Sequence, residues 1–136
     1  MNPVSMRADA APTGPEAAGR MNITESSDEE ILAWARPMWR DLVRNSNEGK
    51  YGEFAKDFSR SFALAMDQVA FGHQFANSAL ARDLSEDVDV LGILRRGEHV
   101  TVLFRQRRTR RPGEWLGRLV LGYEDGKVRI FGASIF

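Results

Sequence analysis

The 136-residue chain contains no cysteine, which excludes disulfide bonds, a thiol nucleophile and a thiolate metal site. It also lacks net charge, with 19 Lys or Arg and 19 Asp or Glu residues, so the whole molecule has no electrostatic attraction to nucleic acid or a membrane surface. No apolar run approaches the roughly 18 residues of a membrane span, and none resembles the core of a signal peptide. We therefore expect a cytoplasmic protein with no membrane partner.

Histidine is scarce as well. His73 and His99 are the only two, and their spacing matches no metal-binding pattern. No motif in the chain specifies a reaction or the binding of a cofactor. We therefore expect neither a metal site nor a cofactor, and the sequence assigns no catalytic residue.

The length is that of one domain with a single core. Residues 1–24 are rich in Ala, Pro and Gly, a composition that predicts a disordered tail. Residues 25–136 are predicted to form the single domain.

The first half of that domain has helical patterns. Ser27 and Glu30 have the spacing of a capping box, and a helix is predicted from Asp28 to about Asn45. Its apolar residues recur at steps of three and four: Ile31, Trp34, Ala35, Met38, Trp39, Leu42 and Val43. A short second helix is predicted over Lys50–Phe58. A third is predicted over about 68–82, with Asp67 as its N-cap.

The second half changes to the alternating pattern of strands. Four are predicted, at Val88–Leu94, Val100–Gln106, Trp115–Tyr123 and Val128–Ile135. Each connection is short and holds a glycine, which is typical of antiparallel hairpins. The predicted fold is therefore α+β, with three N-terminal helices packed on a curved four-stranded antiparallel meander. Because both faces of the strands are partly apolar, we expect a homodimer through the outer face of the sheet.

Three stretches carry a family resemblance: Trp34-Ala35-Arg36-Pro37-Met38-Trp39, residues Tyr51 to Ser59, and the strands from Leu91 to Phe136. In this order they resemble the nuclear transport factor 2-like superfamily of cystatin-like α+β cones, most of all its small bacterial members. The resemblance implies a pocket between the helices and the concave side of the sheet, and dimerisation through the outer face. It implies no single activity. Ketosteroid isomerase and scytalone dehydratase relatives place Asp, His or Tyr in the pocket, whereas other relatives are non-catalytic.

The predicted pocket would be lined by aromatic residues and a few others. The candidates are Trp34, Met38, Trp39, Phe58, Phe62, His73, Phe75, Phe104, Trp115 and Tyr123. The leading interpretation is a non-catalytic binding or protein-interaction module, with a small apolar ligand in that pocket. The alternative is an isomerase, dehydratase or cyclase that uses His73, Tyr123 or an acid of the first strand (Asp87 or Asp89) to carry a proton.

An arginine cluster supports a third interpretation. The predicted hairpin 105–111 contains Arg105, Arg107, Arg108, Arg110 and Arg111, which could together bind an anion or nucleic acid. Proteins that bind nucleic acid commonly stack its bases on aromatic side chains, and no aromatic residue lies inside this cluster. The pattern therefore favours an anion over nucleic acid. The alternative is a solvated hairpin tip whose charges keep strand edges from pairing.

Overall fold

A computed structural model describes residues 22–66 and 83–136. These residues form three helices and a four-stranded antiparallel sheet, and the α+β class and the sheet are those that the sequence predicts. The predicted helix 68–82, with His73 and Phe75, lies outside the described residues. Among the residues that are described, no helix is long and apolar enough to cross a membrane.

Helix α1 runs from Asp28 to Glu48, three residues further than predicted. The predicted capping box is present: the Ser27 amide donates to Oε1 of Glu30 at 2.9 Å, and the Glu30 amide donates to Oγ of Ser27 at 3.1 Å. The helix ends at Gly49, whose left-handed φ of 70° is accessible to glycine at little cost. The predicted apolar face of α1 is buried along its whole length.

The segment after α1 differs from the single helix predicted over Lys50–Phe58. Only α2, at Tyr51–Phe54, lies within that range, and a further short helix, α3, follows it at Arg60–Ala65. Between them the backbone joins the sheet, since Ile130 donates to the carbonyl of Asp57 at 2.7 Å and Ser59 donates to the carbonyl of Ile130 at 2.8 Å. These bonds take the backbone out of the helical pattern, and a helix could not have continued through them.

The sheet has the predicted meander order. Its strands are β1 (Asp89–Arg96), β2 (His99–Arg107), β3 (Glu114–Glu124) and β4 (Lys127–Ile135), each paired with its neighbour in sequence. Every predicted strand boundary is within two residues of the observed one.

Strand β2 separates the two faces of the sheet. Val100, Val102 and Phe104 are fully buried on the face that contacts α1, which we call the inner face, whereas Thr101, Leu103 and Arg105 are half-buried on the outer face. This alternation is the one that the sequence predicts. The core lies between the inner face and α1.

The buried core also includes Ile23, which the composition assigns to the tail. Ile23 is fully buried in a 3-10 turn at Ile23–Glu25, and the side chain of Asn22 donates to the carbonyl of Gly97 in the β1–β2 turn. Among the described residues, the packed part of the chain therefore begins at Asn22.

Candidate binding surfaces

The space between α1 and the middle of the sheet is filled by side chains. Trp39 stacks on Phe104 with ring centroids 5.2 Å apart, and its Nε1 donates to Oε1 of Gln106 at 2.8 Å. The indole lies so close to Gly117 that a Cβ there would be 2.5 Å from its Cζ2 atom. Trp39 and Phe104, two of the predicted pocket residues, are thus packed core residues with no space between them.

Gln106 is a buried polar residue that the sequence analysis did not select. It is fully buried, and its Nε2 donates to the carbonyls of Ser85 at 2.6 Å and Arg107 at 2.8 Å. Both the oxygen and the nitrogen of its side-chain amide therefore have hydrogen-bond partners, as is normal for a buried polar group. Continuing the alternation of Val100, Val102 and Phe104 by one step would have placed it on the inner face.

Arg108 continues the same alternation and is only 8% exposed. Its guanidinium lies over the ring of Trp115, 5.7 Å from the centroid. Among residues 22–66 and 83–136, Arg108 forms no ion pair, and its buried Nε has no hydrogen-bond partner. Its backbone pairs with Leu84 in an isolated antiparallel bridge.

The other arginines of the predicted hairpin lie elsewhere. Arg105 and Arg107 are on the outer face, where both contact Oδ2 of Asp89, at 3.1 and 3.0 Å, and both approach the carboxylate of Glu114, at 3.3 and 3.6 Å. Hydrogen bonds from Arg107 and Arg105 hold the pKa of the Asp89 carboxyl below its usual value. This network of two cations and two anions has no net charge.

Arg110 and Arg111 follow the end of β2 and are exposed to solvent. Arg110 is 4.0 Å from Asp83, at the outer limit of an ion pair. The five arginines are therefore divided among the outer face, the inner face and the β2–β3 connection, and the fold does not bring them together.

Two predicted pocket residues line a groove of another kind. Trp34 and Met38 contribute to a surface groove of about 280 Å³, together with Ala33, Pro37, Asp41, Lys56 and Asp57. It lies between α1 and the residues that follow α2. Lys56 and Asp41 form an ion pair of 3.0 Å in this groove, and the hydrogen bond to Asp41 raises the pKa of Lys56. The groove is therefore formed by α1 and the turn after α2, and not by the helices and the sheet.

Phe58 and Phe62 also form part of the packed structure. Their ring centroids are 4.4 Å apart, and Phe54 packs edge-on against Phe58 at 5.4 Å. The backbone of Phe58 forms a bridge with Ile130, so this aromatic cluster lies where the connection between α2 and α3 pairs with β4.

The described candidates for proton carriers do not share one site. Tyr123 is half-buried, and its hydroxyl is 3.4 Å from Oγ of Ser26. Asp89 belongs to the outer-face network, and Asp87 is exposed before β1. His99 packs edge-on against Phe131 at 4.7 Å. In the part of the chain that the structure describes, no three His, Asp or Glu side chains are arranged to hold a metal ion.

The outer face exposes apolar side chains in cross-strand rows. The strand register aligns Leu94, Thr101, Val120 and Gly132 in one row, and Gly92, Leu103, Arg118 and Ser134 in the next. A third row contains Asp89, Arg105 and Leu116, with Phe136 bonded through its backbone to Leu116. Leu94 is 54%, Leu116 36% and Phe136 63% exposed.

The chain was compared with models of protein families, with curated proteins and with solved structures, and none of them matches it.

Proposed function

We propose that this protein is a non-catalytic interaction module that binds through the outer face of its sheet, and that its partner there is a second copy of the chain. The proposal rests on the location of the exposed apolar side chains. Among the described residues, five large hydrophobic side chains are exposed, and four of them, Leu91, Leu94, Leu116 and Phe136, belong to the sheet or directly follow it. Large exposed apolar patches on a folded domain mark interaction sites.

The size of the outer face suits a dimer. Four strands about 4.8 Å apart and about 28 Å long form a face with a flat area of roughly 500 Å², without the additional surface of its side chains. Stable interfaces bury at least about 600 Å² on each partner. The side chains of Leu94, Leu103, Leu116 and Phe136 project from this plane and add to the area.

The charge cluster at one end of the face is compatible with self-association. A second copy brings an identical face, so an unbalanced cluster would repel its own equivalent. The cluster at one end of the face is balanced, because Asp89 and Glu114 pair with Arg105 and Arg107. These arginines are held by carboxylates, which is also why we do not propose that hairpin 105–111 binds an anion as a unit.

Analytical ultracentrifugation over a concentration series tests the proposal. We expect the wild type to dimerise and the double variant Leu94→Asp/Leu116→Asp to be monomeric, because each carboxylate would be buried in an apolar interface. Leu64→Asp is the matched control, since Leu64 is 82% exposed but lies on α3. It should dimerise like the wild type. Circular dichroism verifies that all three proteins are folded.

Two results would contradict the proposal. A wild type that stays monomeric up to roughly 1 mM does not use this face for a second copy. A dimer that survives in Leu94→Asp/Leu116→Asp but is lost in Leu64→Asp uses a different surface.

The family membership, the curvature of the sheet and the cytoplasmic location are also proposals. The order of helices followed by a meander, and the burial of Trp34 and Trp39 on α1, support a nuclear transport factor 2-like cone. Dimerisation through the outer face is what that resemblance implies. The small apolar ligand remains part of the proposal. We do not propose an enzyme, because the described candidates for proton carriers do not share a site. The Tyr123 hydroxyl lies beside Ser26, whereas Asp89 is paired with arginines on the outer face.

A further inference from the structure

The guanidinium of Arg108 is in an environment that is costly for a charge. The residue is 8% exposed, and Leu84, its partner in the backbone bridge, is 3% exposed. Buried charges in proteins are normally paired with an opposite charge, because desolvation otherwise costs several kcal/mol. Arg108 has no carboxylate partner within the described ranges, and its Nε is an unsatisfied buried donor.

The position of Arg108 is nevertheless fixed. On either side of it, Ser85 donates to the carbonyl of Arg107 and Thr109 donates to the carbonyl of Asp83, both at 2.8 Å. The Cζ atom of Arg108 lies over the ring of Trp115, 5.7 Å from the centroid. A guanidinium over an aromatic ring keeps its edge, with its N–H donors, available for hydrogen bonds.

We propose that Arg108 and Trp115 form a binding site for a small monocarboxylate with an apolar body. A carboxylate matches the paired donors of a guanidinium edge and neutralises its single charge. An apolar body suits the accessible part of the Trp115 ring, which is half-buried. The site is on the face opposite the proposed dimer surface, so it does not depend on that proposal.

The charge balance favours a monocarboxylate over phosphate. Arg107 is on the outer face, engaged with Asp89, and Arg110 is 80% exposed beside Asp83. Among the described residues, Arg108 therefore supplies the one positive charge at the site, which matches a monoanion and leaves half of a phosphate dianion uncompensated.

The test uses hexanoate, 1-hexanol and inorganic phosphate as probes, with binding measured by calorimetry and thermal unfolding. We expect hexanoate to bind saturably and raise the unfolding temperature, and hexanol, which has the same tail without the charge, to bind at least about tenfold more weakly. Arg108→Met should weaken the binding of hexanoate by a similar factor. Arg108→Lys, which keeps the charge but not the two-donor edge, should give an intermediate affinity. Arg111→Met is the matched control and should bind like the wild type.

Several results would overturn the proposal. Equal binding of hexanoate and hexanol, or unchanged hexanoate binding in Arg108→Met, shows that Arg108 does not bind the carboxylate. Tighter binding of phosphate than of hexanoate refutes the ligand class. A large fall in the unfolding temperature of ligand-free Arg108→Met shows that the guanidinium already has a partner within the chain. Without such a partner, removal of the buried charge should leave that temperature unchanged or higher.

Discussion

Trp39 of α1 packs against strand β3 at Gly117, and substitution of this glycine by alanine tests the contact directly. A Cβ at residue 117 would lie 2.5 Å from Cζ2 of Trp39 and 3.0 Å from Cη2. Carbon atoms in contact normally stay about 3.5–4.0 Å apart. The added methyl group therefore forces either the indole ring or strand β3 to move.

Trp39 has little freedom to move. Its ring stacks on Phe104, and its Nε1 donates to Gln106, which is fully buried. Overpacking a core typically costs about 1–3 kcal/mol, and weakening this hydrogen bond adds part of the roughly 1–3 kcal/mol cost of an unpaired buried acceptor. We expect Gly117→Ala to lower the free energy of unfolding by about 2–4 kcal/mol. For a domain of this size, that is about 8–16 °C in unfolding temperature.

Urea unfolding followed by fluorescence and by circular dichroism measures the change. Gly92→Ala is the control, because Gly92 is also in the sheet and a Cβ there would meet no heavy atom within 4 Å. The control should stay within about 0.5 kcal/mol of the wild type. If Gly117→Ala is as stable as Gly92→Ala, Trp39 does not pack against β3 as described.

Two further predictions concern the start of α1 and the outer-face network. Ser27→Ala removes one half of the capping box and should lower the free energy of unfolding by about 1 kcal/mol in a urea titration, whereas Ser27→Asn should restore most of it. Because hydrogen bonds from Arg107 and Arg105 lower the pKa of Asp89 in the folded protein, its stabilising effect is present above the unfolded carboxyl pKa of about 3.9 and is lost as the pH falls through the lower folded value. The unfolding temperatures of wild type and Asp89→Asn should therefore differ near about pH 6 and converge near about pH 2. A difference that is constant over this range would contradict the network.

The strands could be predicted because their signals are local. Alternation in β2 identifies the inner face through Val100, Val102 and Phe104, and a short glycine-containing connection between neighbouring strands leaves little choice but an antiparallel pair. The capping box of Ser27 and Glu30 is equally local, and it was predicted correctly. In each case the residues that determine the structure lie within a few positions of one another.

The break between α2 and α3 could not be predicted, because its cause is distant in sequence. The backbone of Asp57 and Ser59 bonds to Ile130 on β4, more than 70 residues away. Nothing in residues 50–58 indicates that this partner exists. The groove beside Trp34 and Met38 has the same origin, since Asp57 is one of its lining residues.

The arginine cluster shows how a feature of the sequence is changed by strand geometry. Successive residues of a strand point to opposite faces, so Arg107 and Arg108 are neighbours in sequence but lie on opposite sides of the sheet. Arg107 is held by carboxylates on the face proposed for the dimer, whereas Arg108 is buried on the inner face with no such partner among the described residues. Because the two proposed surfaces lie on opposite faces of the sheet, each can be tested independently of the other. Arg108→Met should leave self-association unchanged, and Leu94→Asp/Leu116→Asp should leave hexanoate binding unchanged. If either variant alters both properties, the two faces are coupled through β2 and neither assay reports on one face alone.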